Sequence, residues 1–396
     1  MKILQEKLAS YTAPQEAQAM GIYPYFRKIE SEQDTEVIID GRKVLMFGSN
    51  SYLGLTNHPI LKKAAIEATE KYGTGCAGSR FLNGTLDSHI ALEKRLAEFL
   101  GKDDAIIFST GFQVNLGVVS ILTGREDYII WDELNHASII EGMRLTYSTK
   151  LKYKHNDMAS LERRLKQCTP GKIILIVVDG VFSMEGDICN LPEIVRLAKK
   201  YKATLMVDEA HGIGVLGDCG RGVCHHYGLS QDVDLIMGTF SKSFASLGGF
   251  VAGDKVLINY LRHHARSYIF SASCTPASTA AANAALDIML SEPERFERLW
   301  ELTHYALDRF RSLGFEIGNT STPIIPLFIR NNEATFCITR DLFQEGVFVN
   351  PVVSPAVPPE DTLIRFSLMA THTKEQLDFA INALHKVFVA NGIIRS

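Results

Sequence analysis

The chain has 396 residues with 41 Lys and Arg against 45 Asp and Glu, a formal net charge of -4, and 46% apolar residues. Nearly balanced charge without a long basic run argues against a nucleic-acid backbone as the main partner, and the composition excludes disorder and collagen-like structure. Charges within residues 2–7 interrupt any signal core, no later stretch reaches the ~18 uncharged apolar residues of a membrane span, and seven scattered cysteines suit free thiols, so a soluble cytoplasmic protein is expected.

Taken in chain order, residues 35–47 (T-E-V-I-I-D-G-R-K-V-L-M-F) place two strand-like runs around Asp40-Gly41, a turn pair that tolerates positive φ, and predict a hairpin. From Pro59 onward helices alternate with short apolar strands at 105–109, 128–131, 173–179, 204–208 and 234–238. Runs that are apolar on both faces fit strands buried on both faces, as in a mostly parallel sheet between helices. Leu92, Leu96, Phe99 and Leu100 recur at helical spacing. After about residue 285 two long helical patterns precede strand, helix, strand and a final helix from Thr373 to Ala390. The expected organisation is an N-terminal segment with the hairpin (1–58), a large α/β domain (59–285) and a smaller α+β C-terminal domain (286–396).

Three motifs mislead. Gly73, Gly75, Gly78 and again Gly212, Gly214, Gly217 spell G-x-G-x-x-G, the second directly after a strand and with Asp234 twenty residues beyond Gly214. A dinucleotide fingerprint needs a helix starting inside it, and the following D-C-G-R-G-V-C-H-H-Y-G reads as a polar glycine-rich loop. Asp208, Glu209, Ala210 and His211 resemble a helicase acidic box, yet no phosphate loop of the G-K-[ST] kind accompanies them. Cys219, Cys224, His225 and His226 cluster without a second ligand pair, so no metal is expected.

Ligands of open α/β sheets bind beyond the carboxyl ends of the strands, which directs attention to the polar residues there. Ser109-Thr110-Gly111-Phe112 leads from a strand into a helix start, which suits an anion; Asp208 ends T-L-M-V-D with His211 three residues on. Lys242, in Gly238-Thr239-Phe240-Ser241-Lys242-Ser243, follows a buried strand, where an amine can lose its proton and form a Schiff base while Thr239 and Ser241 bind phosphate. An amine, phosphate donors and an acid for a ring nitrogen are the parts that a phosphorylated pyridine aldehyde requires.

Through S-N-S-Y-L-G-L (49–55), G-S-R-F-L-N-G-T (78–85), F-S-T-G-F-Q-V-N (108–115), N-H-A-S-I-I-E-G (135–142), D-G-V-F-S-M-E-G-D (179–187), V-D-E-A-H-G-I-G (207–214) and G-T-F-S-K-S (238–243), the chain resembles the α-oxoamine synthases. These are fold-type I enzymes dependent on pyridoxal 5'-phosphate, aspartate aminotransferase-like in fold, that condense a small amino acid with an acyl-CoA and release carbon dioxide. T-F-S-K-S and the tail from Phe348 to Thr373 look most like the branch that joins L-serine to palmitoyl-CoA. Sister enzymes that use glycine or alanine remain an alternative, as does a non-catalytic partner subunit, although the latter need not retain Lys242, Asp208 and His211.

The resemblance implies that Lys242 holds the cofactor, Asp208 partners its ring nitrogen, His211 neighbours the ring hydroxyl and His136 stacks on the ring and contacts substrate. Gly111, Phe112, Ser183, Thr239 and Ser241 would complete the cofactor shell. Arg365 would hold the substrate carboxylate, with Ser79 also near substrate, a task suited to the guanidinium fork. Ser271 stands where many of the family carry Thr, a hydroxyl for a hydroxyl, and would reach the phosphate of a second subunit, which implies a homodimer with shared sites. Peripheral membrane contact to deliver a lipid product stays open.

Overall fold

The computed structural model describes residues 2–354 and 356–395, which cluster into two compact units: residues 50–299, and residues 1–49 with 300–396. In the second of these the predicted hairpin is present, with β1 (Glu36–Ile39) antiparallel to β2 (Arg42–Met46). Asp40 and Gly41 turn it with φ of 51° and 71°, the positive pair that matches strand twist.

The 50–299 unit is built on a seven-stranded sheet. Its strands are β3 (Asp104–Phe108), β4 (Tyr128–Asp132), β5 (Thr149–Tyr153), β6 (Ile174–Asp179), β7 (Thr204–Asp208), β8 (Leu235–Thr239) and β9 (Gly249–Gly253), in the order β3-β9-β8-β7-β6-β4-β5. β9 is antiparallel to both neighbours, while the other pairs are parallel. All six residues of β6 are buried, as expected of a strand covered on both faces. Ile106, Phe108, Val177, Met206 and Met237 form one core with Val114, Val118 and Val119 of the helix Gly111–Val119. The predicted helical stripe Leu92, Leu96, Phe99 and Leu100 is the buried face of helix Asp87–Leu100.

Two strands depart from the sequence expectation. β5 (T-K-L-K-Y) is an edge strand with most side chains exposed, and its lysines, which hide it from an apolar scan, also protect a free edge. β9 (G-F-V-A-G) begins and ends in glycine because its neighbours leave no room: a Cβ on Gly249 would lie 2.7 Å from the Gly111 Cα, and one on Gly253 2.6 Å from the Asp234 carbonyl oxygen. The stretch after Gly217 also differs from the expected polar loop. Val223–His226 forms a helical turn with Cys224 buried, and the Val223 and Cys224 amides donate to the buried Glu209 carboxylate at 2.9 and 2.7 Å. This helix start is therefore satisfied from within the protein, which is why the glycine pattern before it is no pyrophosphate site.

The other unit completes its sheets with C-terminal strands. β10 (Ile324–Phe328) and β13 (Leu363–Ser367) pair antiparallel, β11 (Val347–Phe348) adds in parallel to β2, and β12 (Asn350–Val352) flanks β13. The closing helix Lys374–Ala390 starts at a capping box formed by Thr373 and Gln376, the reciprocal arrangement that ends the preceding extended chain.

Candidate active site

Because β3, β4, β6, β7 and β8 run the same way, their carboxyl ends share one edge of the sheet. The register sets Asp179 opposite Asp208, and Asp208 opposite Met237. At this edge lies a cavity of about 260 Å³ lined by Gly111, Phe112, His136, Asp208, His211, Thr239, Ser241 and Lys242, eight of the residues singled out in the sequence.

Asp208 is buried at the end of β7. Its Oδ1 accepts from the Ala210 amide at 2.9 Å and its Oδ2 from Asn115 Nδ2 at 2.8 Å, so both oxygens are held in place. His211 is also buried, with Nδ1 2.6 Å from the Tyr52 hydroxyl. Lys242 follows β8 in a turn pinned by buried Phe240 and Phe244, whose rings meet edge to face at 5.2 Å. The Phe240 amide donates to Gly248 O at 2.9 Å and the Ser243 hydroxyl to Ile213 O at 3.0 Å.

Thr239 Oγ1 donates to Gly248 O at 3.0 Å and lies 2.9 Å from Ser241 Oγ. Opposite them begins the helix Gly111–Val119, capped by Thr110, whose side chain accepts from the Gln113 amide at 3.1 Å. A Cβ at Gly111 would lie 2.8 Å from Thr239 Cβ, so glycine is what lets this helix start approach the hydroxyls.

His136 caps the helix Ala137–Arg144 and is partly open to solvent. Enclosure of its inner side lowers its pKa below the ordinary imidazole value; the Asp208 carboxylate opposes this and Lys242 adds to it. Asp179 Oδ2 accepts from the His136 amide at 3.1 Å, while its Oδ1 is buried with no hydrogen-bond partner among the described residues. Burial, then the neighbouring Asp208 charge, pushes the Asp179 carboxyl well above the usual range, against the pull of the His136 amide and Lys242.

Asp179, Asn115 and Ser138 all line the cavity and were not singled out in the sequence. Asp179 ends its strand as Asp208 does, and that parallel is the signal that could have found it. Four expected residues are not on the cavity wall. Ser183 lies two residues beyond Val181, which is. Ser271 Oγ accepts from Gln113 Nε2 at 3.3 Å, and the Ser79 hydroxyl is buried with no hydrogen-bond partner among the described residues. Arg365 belongs to the other unit, buried in β13, with Nη1 donating to Ser367 Oγ at 2.6 Å.

The cavity suits a phosphorylated pyridine aldehyde. An amine, a fixed carboxylate, two imidazoles and a helix start beside two hydroxyls converge in it. The orphaned oxygens of Asp179 and Asn115 leave polar capacity inside it.

The family described as aminotransferase class I and II matches residues 42–384. Serine palmitoyltransferase of Bacteroides thetaiotaomicron is 64% identical over 394 residues, covering 100% of both chains. The 8-amino-7-oxononanoate synthase of Thermosipho melanesiensis is 44% identical over 379 residues, covering 96% of this chain and 97% of that one. A solved structure of SPT with PLP internal aldimine is 34% identical and superposes with a TM-score of 0.96, covering 100% of both chains. A sheet edge that gathers Lys242, Asp208, His136 and His211 thus occurs in a chain that belongs to the aminotransferase class I and II family, in its α-oxoamine synthase branch.

Proposed function

We propose that the chain catalyses the decarboxylating condensation of L-serine with a long-chain acyl-CoA, palmitoyl-CoA in the first instance, giving 3-ketodihydrosphingosine, CoA and CO2, the first step of sphingolipid synthesis. The observation that carries the reading is the convergence of Lys242, Asp208, His136 and His211 on one cavity, in a chain alike over its full length to a serine palmitoyltransferase.

Pyridoxal 5'-phosphate, when bound, supplies an aldehyde for the amino acid and a protonated ring that accepts the electron pair released at the substrate carbon. Lys242 would provide the amine that holds the aldehyde, and its Nζ is the base that would take the substrate α-proton. Asp208, with both oxygens fixed, would keep a proton on the ring nitrogen. The helix start at Gly111, with Thr239 and Ser241, takes the phosphate, and Ser183 and Phe112 complete the shell. His136 would stack on the ring and donate a hydrogen bond to the substrate carboxylate or the thioester oxygen. Arg365 holds the carboxylate until it leaves as CO2, with Ser79 beside the substrate.

The protein acts as a cytoplasmic homodimer in which Ser271 serves the phosphate of the second subunit. Phe270, next to Ser271, and Phe81 and Leu82, two and three residues after Ser79, are 75%, 55% and 75% exposed in the single chain, apolar area that a second copy would cover. Among the described residues no helix is long and apolar enough to cross a membrane, and a lipid product makes peripheral contact the natural way to release it.

The test is a matrix of serine, glycine, alanine and threonine against short and long acyl-CoAs, read by thiol release and product mass. A channel for the chain gains about 0.8 kcal/mol per buried methylene before ordering costs, and a site built for the serine hydroxyl penalises analogues lacking it. Serine with palmitoyl-CoA is expected to win. If glycine with a short acyl-CoA or alanine with pimeloyl-CoA wins, the chain is a sister condensing enzyme.

A further inference from the structure

Four side chains from three elements, the end of β7, the helix Gly111–Val119 and the capped start of the helix Ala137–Arg144, form a continuous hydrogen-bonded line along the cavity wall. Asn115 Nδ2 donates to Asp208 Oδ2 at 2.8 Å and to Ser138 Oγ at 2.8 Å. Ser138 Oγ lies 2.6 Å from His136 Nδ1, and the Ser138 amide also points at that nitrogen at 3.2 Å. Asn115 and Ser138 are both buried, so water does not supply the alternatives.

The donor directions in this line are not interchangeable. Turning the Asn115 amide round would set its oxygen against the Asp208 carboxylate, so Nδ2 must face Asp208. Both of its protons are then spent, one on Asp208 and one on Ser138. The Ser138 amide can only donate, so the Nδ1 it points at has a lone pair there, and the Ser138 hydroxyl, which already accepts from Asn115, sends its own proton to the same nitrogen. Two donors thus converge on Nδ1, which must accept, and the neutral ring carries its proton on Nε2. Asn115 Oδ1, buried with no partner among the described residues, is the cost of this orientation.

We propose that Asn115 and Ser138 are positioning residues that hold His136 in its neutral Nε2–H form, so that it offers the cavity a hydrogen-bond donor. This deepens the function proposed above and rests on it for the claim that the donor serves the substrate. The groups facing His136 are Asp208 from the end of β7, Asp179 from the end of β6 through the His136 amide, and Lys242 from the turn after β8. A second proton on Nδ1 would have to displace both donors.

Full-length protein labelled with nitrogen-15 in histidine tests the proposal, with His136→Gln identifying the signal. The expected spectrum at neutral pH has Nδ1 unprotonated and Nε2 protonated; a protonated Nδ1 overturns the proposal without need of any further variant. In Ser138→Ala the His136 titration should move up by about one unit, tenfold in the protonation constant, for the loss of one hydrogen bond to the neutral form. Asn115→Leu should move it the same way, and Ser138→Thr, which keeps the hydroxyl, should restore it. The acid limb of the serine KM profile should follow the shift in Ser138→Ala. A titration that stays in place in both Ser138→Ala and Asn115→Leu refutes the relay. If the relay holds but the substrate matrix shows no serine condensation, it is the functional reading that falls.

Discussion

His155 offers a sharp test of how the cavity wall is held. Its Nδ1 and Nε2 each lie 2.9 Å from a carboxylate, Asp132 at the end of β4 and Asp187 in the loop after β6. Asn156 reinforces the junction, its amide donating to Asp132 and its side chain to Asp187, both at 2.9 Å. Burial works against charging this imidazole, but the hydrogen bonds and charges of Asp132 and Asp187 outweigh it and raise the pKa from 6.5 to about 10. Only 22% of the side chain is exposed, so solvent screens the pair little. A rise of that size corresponds to about 5 kcal/mol of stabilisation, present in full below the unfolded pKa near 6.5 and lost as pH climbs through about 10.

The clamp ties residues 181–188, with Val181 on the cavity wall, to the ends of two strands. His155→Asn removes the cation and leaves the fully buried Asp132 facing Asp187, a change that typically costs about 3 to 5 kcal/mol. The readout is hydrogen exchange of amides in residues 154–157 and 181–188, which reports local opening without requiring the whole chain to unfold in one step. Wild-type protection should fall by about 1.4 kcal/mol per pH unit between pH 7 and 10, and the variant should start low and change little. A difference between the two proteins that is independent of pH would refute a charged His155 clamp.

Two further outcomes test the chemistry. The purified protein should be yellow, and borohydride reduction followed by peptide mapping should find the cofactor fixed on Lys242 and absent from Lys242→Ala; trapping on another lysine would remove Lys242 from its role. Arg365→Ala should weaken serine binding while cofactor binding is kept, since losing a charge-assisted hydrogen bond costs about 1.5 to 3 kcal/mol, or roughly one to two decades in affinity. An unchanged serine dissociation constant in a spectral titration would take Arg365 out of the site.

Local signals in the sequence determined the hairpin at Asp40-Gly41, the five apolar strands, the stripe of helix Asp87–Leu100 and the final helix after Thr373, because turn chemistry, period and capping act over a few residues. The run of polar residues after apolar strands likewise marked Gly111, Asp208, His211, Thr239, Ser241 and Lys242, which the parallel sheet gathers at one edge. Tertiary structure alone decided the rest. β5 and β9 carry lysines and glycines whose reasons are an open edge and a close neighbour, neither visible along the chain. Glu209, beside Asp208 in sequence, points to a helix start and not to the cavity, since successive strand-end residues face opposite ways and only the packed turn at Val223 explains it. Asn115 and Ser138 gain their places only once two helices bring them to one carboxylate and one imidazole. A hydrogen bond between residues 93 positions apart has no local signature, because its partners are chosen by the sheet and the packing of helices on it.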